Sequence, residues 1–95
     1  MRGVKTGEIA GIVITFRLDK VTFIKMDNEG AELEALKGAA ETIKKNRPRL
    51  AICLYHKDED IVDIPQYVKE LVPEYKLYIR HYNVGLIDTV LYATL

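Results

Sequence analysis

The stretch VTFIKMDNEGAELEALK, Val21 to Lys37, decides the fold. It opens as a short apolar run, Val21 to Met26, too brief for a helix before Asp27, Asn28, Glu29 and Gly30 arrive. An amphipathic pattern follows at once. Period and punctuation together read as a strand, a sharp acidic turn and a helix. In open α/β sheets the ligand crevice lies beyond the carboxyl ends of the strands. Asp27 and Glu29 stand at such an end and mark the first place to look for a site.

Downstream of the turn, Leu33, Leu36, Ala40 and Ile43 form one apolar helical stripe, with Ala39 beside it. Glu41 precedes Lys45 by four residues, the favourable order for a surface pair. Asn46, Arg47 and Pro48 end this helix. Leu50 to Tyr55, LAICLY, is apolar at almost every position, the pattern of a central strand covered by helices on both faces. The segment from His56 to Asp60 is polar and acidic, again at the carboxyl end of a strand. Asp63 and Gln66 resemble a capping box with Pro65 in the first turn, opening a helix that buries Ile64, Val68, Leu71 and Val72. Tyr75 to Tyr82 and Leu86 to Thr94 read as strands of an antiparallel hairpin joined by Asn83, Val84 and Gly85.

Upstream, Gly11 to Phe16 (GIVITF) is a short β-branched strand and Arg17 to Lys20 a turn. Residues 1–11 carry three glycines and alternating charges, and are expected to be a loosely held, flexible segment. The expected fold is therefore α/β: a small mixed sheet in the order β-β-α-β-α-β-β, one domain over residues 12–95. The helical connections imply parallel strands, and the closing hairpin adds an antiparallel member.

Composition narrows the classes. The 14 basic and 14 acidic side chains cancel, whereas a nucleic-acid binder usually carries a basic excess, so no nucleic-acid partner is expected. The apolar runs are too short for a membrane span, and the first residues lack the apolar core of a signal peptide. The single cysteine, Cys53, lies in a strand-like run, which suggests a buried thiol and the cytoplasm as compartment. Serine is absent and Cys53 is within a strand, which speaks against serine or cysteine hydrolysis.

The run FIKMDNEGAELEALKGA resembles the signature of the FkbM-like methyltransferases, whose usual form is close to IKIDVEGAE followed by LKGA. The similarity continues through RPRLAICLYHKDED, IPQYVKEL and YKLYIRHYNVGLIDTVLYA, and so covers about residues 21–93. The resemblance implies an S-adenosylmethionine-dependent O-methyltransferase acting on a hydroxylated small molecule or sugar. It also implies a Rossmann-like sheet whose last strand inserts beside Leu50 to Tyr55, ahead of Tyr75 to Tyr82.

Two features of that family have no counterpart here. One is the upstream glycine-rich turn that cradles the cofactor; the other is the acidic residue at the next strand end for the ribose hydroxyls. Gly3, Gly7 and Gly11 follow no strand in the expected fold and make no such loop. Asn28 also stands where the family commonly has a small apolar residue. The chain thus resembles the carboxyl half of a methyltransferase, is expected to be inactive alone, and is expected to bind no cofactor by itself.

Methyl transfer to a hydroxyl needs alignment of the reacting atoms and help in removing the proton. The resemblance suggests Asp27, Glu29, His56 and His81 for that work. Against this stands a structural role, with Asp27 or Asn28 capping the helix and Glu29 complementing its dipole. Tyr55, Tyr78 and Tyr82 are candidates for an aromatic wall. The spacing of Asp27, Glu29 and His56 matches no metal-ligand motif, so no metal is expected. With the glycine-loop strand missing, Val21 to Met26 should present an exposed edge, unless GIVITF folds back over it, and favour a homodimer or higher homo-oligomer. Two alternatives remain for function: a self-associating non-catalytic remnant, or a small binding module using the edge around Asp27, His56 and His81.

Overall fold

The structure, a computed structural model, describes residues 4–9, 11–17, 20–27, 30–54, 58–84 and 86–95. The chain runs β1 (Val4–Ile9), β2 (Ile12–Arg17), β3 (Lys20–Met26), α1 (Glu32–Gly38), α2 (Ala40–Asn46), β4 (Arg49–Cys53), α3 (Asp58–Leu71), β5 (Lys76–Val84) and β6 (Leu86–Thr94). The six strands form one sheet in the order β1-β2-β3-β4-β6-β5. β3 and β4 pair in parallel, and the other neighbours are antiparallel. The last strand inserts between β4 and β5, as the resemblance implies.

One face of the sheet carries the core. Ile24, Met26, Leu50, Ile52, Leu91 and Ala93 alternate along their strands with residues of the opposite face. They join Leu36, Ile43, Ile64 and Val68 of the helices in a single buried cluster. Tyr75 closes that cluster, fully buried, its hydroxyl donating to the Pro48 carbonyl. Burial pushes the Tyr75 hydroxyl up to about 12, against a smaller downward pull from Arg47. Asn46 ties α2 to β3 by accepting the Val21 N–H at 3.2 Å while donating to the Thr42 carbonyl at 3.0 Å.

Several expectations are corrected. Residues 4–9 form a strand in full register with β2, because β2 offers them an unpaired edge that their own sequence does not advertise. β2 in turn pairs along β3, so of the two cases left open for Val21 to Met26 the one found is GIVITF folding back and filling the edge. The outer strands are β1 and β5 instead. All three helices join one cluster on one face. β4 is therefore not covered by helices on both sides, among the described residues, although Ala51 on its far side is buried between neighbouring strands.

The long helix divides at Ala39, directly after Gly38, a poor helix former. Glu41 pairs with Lys44 at 3.9 Å and not with Lys45. α3 starts at Asp58, which places Asp63 and Pro65 inside the helix and not at its cap. The strands of the last hairpin also continue to Val84 and Leu86, closer together than a three-residue loop allows.

Candidate functional site

β3, β4 and β5 all point the same way, since β6 is antiparallel to both of its neighbours. Their carboxyl ends therefore share one end of the sheet. Asp27 follows the last residue of β3 there, exposed, with its backbone N–H donating to the Gly11 carbonyl at 2.8 Å. That bond, formed at a glycine with φ of 80°, fixes the start of the acidic turn against the β1–β2 turn.

The helix after the turn begins at Glu32, with Ala31 in the capping position and no side-chain capping bond. Asp27 is thus not the helix cap. The turn is held instead by Glu32, whose Oε1 accepts the Gly30 N–H at 3.0 Å. Glu32 is the one charged residue buried in the core among the described residues. Its position was legible in principle: the spacing of Glu32, Leu36 and Ile43 would set them on one face of a continuous helix, and all three are buried.

His81 sits on β5 and its Nδ1 lies 2.8 Å from the Thr89 hydroxyl on β6. β4 and β6 separate it from Asp27's strand, three strand spacings or about 14 Å. Asp27 and His81 therefore cannot act on one hydroxyl together. Glu29 and His56 lie outside the described residues, as do Asn28 and Tyr55. No group of three or more His, Cys, Asp or Glu able to hold a metal occurs among the described residues.

The helix-free face carries aromatic and cationic side chains. Tyr78, Arg80 and Tyr82 alternate along β5 and, with Tyr92 of β6, line an open groove of about 360 Å³. The Tyr82 and Tyr92 hydroxyls are 2.8 Å apart, and that hydrogen bond is the main cause raising the Tyr92 hydroxyl above its ordinary range. Beside it, Phe23, Arg49 and Tyr92 help to line a second groove of about 310 Å³, with the Arg49 guanidinium 6.0 Å from the Phe23 ring centre. Two of the three tyrosines expected to form a wall share this face. Tyr92 was missed, although the hairpin register sets it opposite Tyr78.

The sequence matches the model of the Methyltransferase FkbM domain over residues 3–80. The chain belongs to the FkbM methyltransferase family. A crystal structure of methyltransferase FkbM from Methylobacillus flagellatus KT is similar to it, with 35% identity and a TM-score of 0.73. That match covers 93% of this chain and 27% of the other, so these 95 residues span about a quarter of that FkbM protein. Among curated proteins nothing matches the chain.

FkbM membership implies S-adenosylmethionine chemistry. Among the described residues, Gly7 and Gly11 of the amino-terminal hairpin do not form a donor cradle. Gly7 lies within β1, opposite Ile14, and Gly11 makes the turn of an antiparallel hairpin. A phosphate- or nucleoside-cradling loop instead leads from a strand into a helix. Among the described residues no helix is long and apolar enough to cross a membrane.

Proposed function

We propose that this chain is the acceptor-side part of an FkbM O-methyltransferase, acting on a hydroxyl of a sugar or related small molecule, and that it does not hold the methyl donor by itself. The observation that carries this reading is the junction of β3 with the acidic turn. The family signature sets Asp27 directly after β3, at the sheet's carboxyl edge and exposed to solvent. A carboxylate there is suited to accept the proton of an acceptor hydroxyl. Glu29 and His56 belong to the same set by sequence, while His81, two strands beyond β4, contacts a more distant part of an extended acceptor.

The absence of a glycine cradle in the β1–β2 hairpin supports the second half of the proposal. No step through the donor is therefore assigned to these residues. The lone Cys53, in a strand and without a disulfide, fits a reducing compartment such as the cytoplasm.

A chimera tests the reading. Residues 21–93 of this chain replace the matching segment of the Methylobacillus flagellatus protein, and transfer of label from S-adenosylmethionine to the parent's acceptor is followed. The folded chimera should transfer methyl groups, and Asp27→Asn should lower its rate by about 100-fold. A folded, donor-binding chimera that transfers nothing would overturn the acceptor-side assignment.

A further inference from the structure

β5 is the outermost strand of the sheet and nine residues long, and no described residue pairs with its outer side. Such an edge is a ready template for another strand. Three of the exposed large hydrophobic residues lie on it: Tyr78 (53% exposed), Ile79 (46%) and Tyr82 (41%). Proline is absent from it.

We propose that β5 is a homodimer interface, pairing antiparallel with β5 of a second copy about a two-fold axis at Ile79. The inference is independent of the methyltransferase reading and rests on which residues face which way. Lys76, Tyr78, Arg80 and Tyr82 alternate onto the helix-free face, as the Tyr82–Tyr92 hydrogen bond and the shared groove require. Leu77, Ile79 and His81 alternate onto the helix face, where Leu77 packs against the core.

A two-fold axis perpendicular to a continuous sheet keeps helix face with helix face, so it must pass through a residue and not between two. Few centres are then available, and charge selects among them. Centring on Arg80 sets Arg80 against the partner's Arg80. Centring on Tyr78 sets Lys76 against the partner's Arg80. Like charges directly opposite are destabilising. Centring on His81 places two imidazoles at the axis and sets Leu77 opposite a position beyond the end of β5.

Centring on Ile79 avoids each of these faults. It sets Ile79 against the partner's Ile79, Tyr78 against the partner's Arg80, and Lys76 against the partner's Tyr82. Both cations of the strand then meet a tyrosine, a favourable cation–π pairing, and Leu77 meets the partner's His81. The occupant is a second copy because, of the registers centred from Tyr78 to His81, the strand complements itself in this one.

The test uses the full chain with Cys53→Ser as background. Sedimentation velocity up to roughly 0.5 mM should show dimers, and Ile79→Lys should raise the dimer dissociation constant at least about tenfold by placing two ammonium groups at the axis. Ile79 is half exposed, so circular dichroism of Ile79→Lys should remain that of the folded chain. Under mild oxidation Ile79→Cys should form a disulfide-linked dimer far faster than Arg80→Cys or His81→Cys. A monomer throughout the concentration range, a dimer indifferent to Ile79→Lys, or faster crosslinking at position 80 or 81 would each overturn the proposal.

Discussion

The Oε1 of Glu32, wholly buried, accepts the backbone N–H of Gly30 at 3.0 Å and so ties the acidic turn to the first residue of α1. A buried carboxylate is costly unless hydrogen-bonded. Its presence here means that the turn's shape depends on it. Gly30 supplies the complementary half of the device with φ of 97°, a left-handed conformation that side-chain-bearing residues rarely adopt.

Glu32→Ala should therefore destabilise the chain by about 2–4 kcal/mol, through the lost hydrogen bond to the Gly30 amide and the cavity left behind. Glu32→Gln preserves the acceptor oxygen and should cost less than half as much. Urea unfolding of the two variants gives the comparison. Equal losses would show that charge, and not the bond to Gly30, is what matters.

Much of this was legible in the sequence, and the exceptions have physical causes. The strand–turn–helix around Asp27 announced itself because an apolar run of strand length meets an acidic turn and then a 3.6-residue period. The closing hairpin did so through alternation about a glycine. β1 did not, since VKTGEI has no apolar period and gains its conformation from pairing with β2. The start of α3 was hidden because Asp58, Glu59 and Asp60 lie ahead of the apolar pattern, where Pro65 offered a false first-turn signal. Glu32 was overlooked because its residue type argues for exposure while its spacing from Leu36 argues for the core. Which face of the sheet the helices cover is a tertiary property that no local pattern encodes.

Tyr75 makes stability depend on alkaline pH. Its hydroxyl has an ordinary value of 10.0 and is pushed up to about 12 in the fold, chiefly by burial. The folded state thus holds the proton more tightly than the unfolded state. The contribution is full below about pH 10 and is lost as pH rises toward 12. Tyr75→Phe should cost about 1–2 kcal/mol at neutral pH, by leaving the Pro48 carbonyl without its donor. The gap between the two proteins should close across that alkaline window, as followed by urea unfolding. A gap that stays constant with pH would contradict the role assigned to the Tyr75 proton.

Gly38 offers a gain. It is the last residue of α1, and a Cβ built there meets nothing within 4 Å. Gly38→Ala should raise stability by about 0.5–1 kcal/mol, through lower backbone entropy in the unfolded chain and better helix propensity. The thermal midpoint reports the change, and a fall in that midpoint would mean that the division of the helix at Ala39 depends on glycine.

The chain belongs to the FkbM family, and we propose that it carries the acceptor side without the donor pocket. Calorimetric titration of the purified chain with S-adenosylhomocysteine tests it most directly. The account predicts no saturable binding up to roughly 1 mM, where the binding free energy would already be weaker than about −4 kcal/mol. Saturable binding with a micromolar Kd would contradict it, and would place a donor site within the β1–β2 hairpin or between copies of the chain.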